Sequence, residues 1–406
     1  MTTFPSLRHS AVSTFSFRGL NRQAASAGLN VFAIYMFVGL TVQVGVMTQL
    51  GLSDSAASGW FFITWMTTGG VSLVLSLATK QPVSINLSIA AMVFLAGAAG
   101  GFTLPQILGA NLIVGVASVA VSVFRLTDAM TRVVPSQIAI GVFAGSMLGF
   151  ILRTGDLAAS SVSSTGPAIG GYALALLVTR SQVMAIAIAA TAGLVGVLLT
   201  GGMQSADIGY ELPLSALPVI EFNLRAIVSL GIPLFILTAG VGNIQGLAIL
   251  RGAGYRIRGN MLGVIAGGTS IINALAGGHP AAVGSVSVVV SSAPSAGPAG
   301  ARYWAIVLSS VPVIAIAMLA VPVIAIVQAL PIAYTLTVGA LAMLAPFRQT
   351  FAKTMSGDMR LGALAAFALA AVPYQALGMP MAFWALVAGV AISGVFERRQ
   401  LITGRK

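Results

Sequence analysis

The chain holds two histidines in 406 residues, and one of them, His279, stands in the run AGGHPAA (276–282) inside a long apolar stretch. Imidazole is the side chain whose ordinary pKa lies nearest neutral pH. Ionisable groups in membrane-length apolar sequence are costly and are functional by default. His279 is therefore the candidate proton carrier or anion contact, set against the plainer reading of a neutral histidine capping backbone at a helix break. The other side chains able to do chemistry nearby are neutral donors. Gln81, Ser84, Asn86 and Ser88 lie in KQPVSINLS (80–88), while Ser285 and Ser287 follow the histidine run. Thr41, Gln43, Gln49, Thr238, Asn243 and Gln245 sit on neighbouring apolar segments. No carboxylate lies deep among them, since Asp128 falls at a segment edge. Donors without negative charge suit an anion rather than a cation. The glutamines and Asn243 have a bland alternative as interhelical bridges, and the serines and Asn86 as helix caps.

Several chemistries drop out. Zero cysteines remove disulfides, thiolate metal sites and a cysteine nucleophile. Nothing matches a phosphate-cradling or dinucleotide-binding glycine spacing, and His279 has no acidic companion. No cofactor, no metal and no enzymatic activity are expected. The tryptophans Trp60, Trp65, Trp304 and Trp384 read as interfacial anchors.

What must position these groups is a membrane bundle. Charged residues are 7% of the chain, far below the roughly one quarter of soluble domains. Long unbroken apolar runs recur from residue 28 to 396, which predicts an all-α polytopic membrane protein rather than a barrel. Fourteen segments are predicted, at 28–49, 58–79, 86–98, 105–125, 136–153, 168–179, 183–200, 226–250, 259–276, 281–292, 302–328, 331–346, 360–376 and 380–396. With both termini cytoplasmic, all but Arg153 and Arg225 of the twenty basic residues fall on one side, as the positive-inside rule requires. The net charge of +12 is then topology and not a nucleic-acid footprint.

The halves repeat. LTVQVG (40–45) matches LTAGVG (237–242), and Pro82 matches Pro280 at nearly the same offset. Seven segments per half is odd, so the second half enters from the opposite face: a 7+7 inverted repeat, a plan common among secondary transporters. Segments 3 and 10 are too short to span a hydrocarbon layer of roughly 30 Å at 1.5 Å per residue. Each follows an X-Pro lead, which disfavours helix before the proline and suits a helix start after it. Half-helices preceded by short extended strands are predicted, their N-termini aimed at one central spot. Each such end carries about half a positive charge, a natural anion site.

The runs PLFILTAGVGNIQGLAILRGAGY (233–255), AGGHPAA, GPAGARYWAIV (297–307) and, more weakly, KQPV (80–83) resemble the benzoate:proton symporters, the BenE family. The likeness extends over nearly the whole chain. It implies the fold shared with nucleobase and sulfate transporters, with a core domain moving like an elevator against a gate domain, often in a homodimer in the bacterial inner membrane. On that plan residues 1–25 are a cytosolic tail. Core halves are 26–125 and 225–328, gate halves are 126–224 and 329–396, and 397–406 is a second cytosolic tail. The resemblance implies import of a small organic anion, an aromatic carboxylate such as benzoate, coupled to protons. An anion entering against an inside-negative potential needs a positive companion, worth about 2.3 kcal/mol per charge per 100 mV; His279 is the candidate to carry it. The chain departs from the family pattern at Leu87, where a Trp is usual, at Leu40 and Thr48, where an aromatic pair is expected, and at Ala282, which replaces an Asn. Rival readings are a nucleobase or inorganic-anion transporter on the same scaffold, of which the former would be expected to bring a buried carboxylate, and a passive channel, which would not drive uphill accumulation.

Overall fold

The computed structural model describes residues 20–397 except 99, 126–135, 180, 206–207, 214–217, 357 and 373. Most of the two tails, with Arg8, Arg18 and the basic residues from Arg398 onward, lies outside the described residues, as do Asp128, Arg132, Arg180 and Asp207. The chain is mostly helical, in the order α1 (Arg22–Gln49), α2 (Asp54–Thr79), β1 (Ile85–Leu87), α3 (Ile89–Ala98), α4 (Leu104–Val123), α5 (Ser136–Ser160), α6 (Val162–Thr179), α7 (Gln182–Leu199), α8 (Leu224–Gly252), α9 (Gly259–Leu275), β2 (Ala281–Val283), α10 (Ser285–Ser292), α11 (Tyr303–Met318), α12 (Ala320–Gln328), α13 (Ile332–Ser356), α14 (Arg360–Ala370), β3 (Gln375–Ala376), β4 (Met379–Pro380) and α15 (Met381–Phe396). Among the described residues eight helices are long and apolar enough to cross a membrane, and the pair α12–α13, bent by 110°, makes a ninth if counted as one span. Helices α9, α14 and α15 are apolar but shorter.

Local chemistry sets the ends. Ser53 caps α2, its side chain accepting from Ala56 N, with Asp54 in the first turn where the helix dipole favours a carboxylate. Lys80 ends α2 in the left-handed region at φ 54°. The run read as one segment at 302–328 is two helices, α11 and α12, separated at Leu319. The segment read as stopping at 346 continues to Ser356 with Pro346 inside it. Proline costs a helix one hydrogen bond and a clash; one turn on, Thr350 Oγ1 donates to Pro346 O at 2.7 Å. Beyond α14 the chain forms the small antiparallel pair β3–β4 before α15.

Strands β1 and β2 pair antiparallel, Ile85 with Val283, Asn86 with Ala282 and Leu87 with Ala281. Non-helical backbone inside a bundle must find its hydrogen bonds from protein. Two serines 198 residues apart do this: Ser72 Oγ donates to Ile85 O (2.9 Å) and accepts from Ile85 N (3.0 Å). Ser270 Oγ likewise accepts from Ala281 N (2.9 Å) and donates to Ala281 O (3.3 Å). Thr68 Oγ1 accepts from Leu87 N, Ser76 Oγ donates to Val83 O, and Asn273 Nδ2 donates to His279 O. Glycines at the same spacing let helices touch. Gly69 brings α2 onto α11 at Ser310 and Ile314, and Gly267 brings α9 onto α4 at Gly115 and Val119. Helices α5, α6, α7, α13, α14 and α15 pack among themselves, while α2, α8 and α9 touch the strand pair, with α11 packed on α2, α4 on α9 and α1 on α11.

Candidate functional site

Helices α3 and α10 begin directly after the paired strands, and a cavity of about 190 Å³ opens in front of both starts. The first N–H groups of a helix have no intrahelical acceptor. In α10 the first internal bond comes from Val288 N to Gly284 O, and Ala91 N at the start of α3 bonds the side chain of Ser88. The walls are Ile34, Tyr35 and Gly39 of α1; residues 86–90 and 282–287 of the two broken segments; Leu237, Val241, Gly242 and Gln245 of α8; Ile140, Phe143 and Met147 of α5; and Pro346, Gln349, Thr350 and Lys353 of α13. Both α1 and α8 reach the cavity through π-helical turns, at Tyr35–Leu40 and Ile236–Asn243, a device that recurs at functional sites.

A small polar hub ties the two broken segments together. Asn86 Nδ2 donates to Tyr35 Oη (3.2 Å) and to Ser287 Oγ (3.4 Å), Tyr35 Oη lies 2.9 Å from Ser84 Oγ, and Ser287 Oγ donates to Gly284 O (3.0 Å). Gly284 stands between Asn86 and Ser287 where a Cβ would press on both. The residues expected from sequence therefore divide. Asn86, Ser88, Gln245, Ser285 and Ser287 line the cavity. The rest do not. Ser84 is buried behind it on Tyr35 and Ser72. Gln81 reaches Arg256 O (3.4 Å) at the α8–α9 loop. Gln43 is a buried bridge, donating to Thr64 Oγ1 (2.9 Å) and accepting from Trp65 Nε1 (2.6 Å). Gln49 ends α1, with its Oε1 buried and unpartnered among the described residues. Thr41 and Thr238 hydrogen-bond carbonyls of their own helices. Asn243 turns to the strand, its Oδ1 accepting from Val283 N at 2.9 Å, while Gly246 lets α8 touch Val283. The Asn243–Gly246 spacing thus serves to dock α8 on β2.

His279 sits fully buried on the lead into β2. Its Nδ1 accepts the Trp60 indole N–H at 2.9 Å, with the rings stacked at 5.5 Å between centroids. An acceptor at Nδ1 places the proton of the neutral ring on Nε2, which is buried without a partner among the described residues. The interfacial reading of the tryptophans fails for three of the four: Trp60 and Trp65 are fully buried and Trp304 is 3% exposed. The first two spend their N–H groups on His279 and Gln43 instead.

Cavity groups that give no signal in the sequence include Tyr35 of α1 and residues of α5 and α13. Ile140, Phe143 and Met147 follow a helical stripe, as do Pro346, Gln349, Thr350 and Lys353. Among the described residues Lys353 is the one charged residue in the wall and is exposed, with Gln349 exposed beside it, so the cavity is reached from that end. At the opposite end the helices close. Gly45 of α1 faces Phe150 and Leu336, Gly339 of α13 lies against Thr41 O, and Arg153 Nη1 of α5 donates to Ala96 O at the far end of α3. The departures Leu87 and Ala282 both line the cavity.

The chain is 23% identical to the inner membrane protein YdcO of Escherichia coli (strain K12) over 343 residues, covering 84% of this chain and 87% of that one. Among solved structures it resembles the transmembrane domain of the cyanobacterium bicarbonate transporter BicA, with TM-score 0.57 and 14% identity over 92% of this chain and 98% of that one. It also resembles the murine Solute Carrier 26 family member A9 anion transporter in the inward-facing state, with TM-score 0.59 and 12% identity over 95% of this chain and 70% of that one. At such identities the two likenesses establish the fold. The benzoate membrane transport protein family matches residues 20–395, from the start of α1 to the last turn of α15. A match spanning the strand pair, both broken segments and every wall of the cavity leaves one conclusion: this chain belongs to the BenE family of membrane transport proteins.

Proposed function

We propose that the chain is a secondary active transporter importing a small organic anion, benzoate or a related aromatic carboxylate, in symport with protons across a bacterial inner membrane. One observation carries this reading: two helix N-termini on paired strands converge on a cavity with neutral donors, one lysine at its open end and, among the described residues, no carboxylate in its wall. Each N-terminus offers about half a positive charge, and the first N–H groups of α10, which lack intrahelical acceptors, can meet a carboxylate. Asn86, Ser88, Gln245 and Ser285 supply further donors. Leu87, Phe143, Met147, Leu237 and Val241 supply apolar walls for a ring. The volume of about 190 Å³ is below the roughly 300–1,000 Å³ of drug-sized sites, a scale suited to one ring and its acid group. Lys353 at the entrance adds attraction on the open side. The similar fold of anion transporters and the inner-membrane relative support the same class.

The serine clamps and glycine contacts at a 198-residue spacing support two inverted halves, and fourteen segments with both termini cytoplasmic are part of the reading. The cavity lies between α1, α3, α8 and α10 on one side and α5 and α13 on the other, a division that suits a core sliding against a gate. Open at Lys353 and closed at Phe150 and Arg153, it fits an inward-facing state. His279 enters as the proton carrier. Protonation at Nδ1 would turn that atom from acceptor to donor, expel the Trp60 N–H, and so loosen α2 from the lead into β2.

The test is uptake of labelled benzoate by purified protein in liposomes. An acidic exterior is expected to drive accumulation above equilibrium, a protonophore to abolish it, and excess nucleobase or sulfate to compete poorly. Equilibration without accumulation under the gradient would instead establish a passive channel, and efficient competition by sulfate or bicarbonate an inorganic-anion carrier.

A further inference from the structure

A second cavity, of about 690 Å³, lies on the opposite face of α8 from the anion site and shares none of its lining residues. Residues Ala239, Asn243, Leu247 and Arg251 of α8 face it at helical spacing, whereas Leu237, Val241 and Gln245 face the anion site. Three helix ends bring arginines to its rim: Arg125 directly after α4, Arg251 in the last turn of α8 and Arg258 at the start of α9. Among the described residues all three are exposed, no Asp or Glu lines the cavity, and none of the three guanidinium groups has an ion pair or hydrogen bond. Below the arginines the wall turns apolar, with Val121, Val123, Ile244, Leu247, Met261, Val264 and Ile265, and Asn260 adds a neutral donor. Val123 and Phe124 beside it are 58% and 70% exposed, and Ile272 further along α9 is 51% exposed, so the surface that carries the groove is one that faces acyl chains.

We propose that this groove binds the headgroup of an anionic phospholipid, its phosphodiester among Arg125, Arg251 and Arg258 and an acyl chain along the apolar wall. Guanidinium groups match phosphate oxygens in fork geometry, and basic pockets between membrane helices are known to seat acidic lipid headgroups. An apolar floor under a cationic rim fits a lipid better than a free ion, which would leave the floor bare. Because α8 is the wall between the two cavities and Asn243 joins this one to β2, the lipid would brace the helix that docks on the strand pair.

The experiment is a titration of the purified full-length protein in neutral detergent with dioleoylphosphatidylglycerol, dioleoylphosphatidylcholine or sodium phosphate, read by native mass spectrometry and thermal unfolding. Phosphatidylglycerol is expected to bind on the order of 100-fold more tightly than phosphatidylcholine and to raise Tm. The double variant Arg251→Gln/Arg258→Gln should lose about 30-fold of that affinity while keeping its lipid-free Tm and its stabilisation by benzoate. Equal binding of the two lipids by the unaltered protein would overturn the proposal whether or not the variant folds. So would undiminished phosphatidylglycerol binding by the double variant, or equal stabilisation by inorganic phosphate at matched concentration.

Discussion

Placing a carboxylate at the start of α10, with Ser285→Asp, is expected to abolish benzoate binding and uptake while leaving the protein folded. Ser285 lines the cavity and is the first residue of the helix. A negative side chain there favours the helix dipole by roughly 0.3–1 kcal/mol, which offsets part of the cost of placing a charge at that depth. The same charge stands where the substrate carboxylate would sit. Two like charges about 4 Å apart repel by about 4 kcal/mol at an effective dielectric of 20, close to a thousandfold in affinity. Ser285→Asn, similar in size and neutral, should keep binding within about tenfold, the scale of one altered neutral hydrogen bond. The pair is measured by isothermal titration with benzoate alongside thermal unfolding. Full binding by the aspartate variant would remove α10 from the anion site.

The second large effect concerns His279. Substitution by alanine is expected to abolish proton-driven accumulation while exchange of benzoate across the liposome membrane persists. Alanine also strands the buried Trp60 N–H, a loss of about 1–3 kcal/mol, so alanine alone confounds coupling with packing. His279→Gln separates them. Its amide oxygen can accept the Trp60 N–H, but the side chain does not titrate. His279→Gln is expected to recover the stability lost by alanine, to exchange benzoate, and still to show no accumulation when an acidic exterior is imposed. Wild-type accumulation by His279→Gln would make His279 a structural acceptor and place the proton elsewhere.

Part of the cavity lining is legible in the sequence. The two X-Pro leads at Pro82 and Pro280 announce broken helices because proline both stops the helix before it and seeds the one after it. Asn86, Ser88, Ser285 and Ser287 follow those prolines closely enough that local geometry carries them to the cavity. What could not be read depends on distant partners. Trp60 and Trp65 look like interfacial anchors because composition is blind to His279, 219 residues away, and to Gln43, 22 residues away. Gln43 itself proved to be the interhelical bridge that its bland reading anticipated, and Asn243 a strand acceptor. Lys353 escaped because Pro346 and Arg348 look like the end of a span, whereas α13 runs through the proline and delivers the lysine to the cavity mouth. Tyr35 gave no signal in an apolar helix. Its role comes from a π-helical turn and from Asn86, 51 residues on.

Because the chain contains no cysteine, single cysteines can report directly on whether both broken helices face one ligand site. Ser88→Cys and Ser285→Cys, with Arg256→Cys on the exposed α8–α9 loop as reference, are reacted with a polar maleimide in the presence and absence of benzoate. Benzoate is expected to slow labelling at both cavity positions in parallel, with the same half-saturating concentration, and to leave the loop position unchanged. Protection of only one helix start, or of neither, would contradict a shared anion site between α3 and α10.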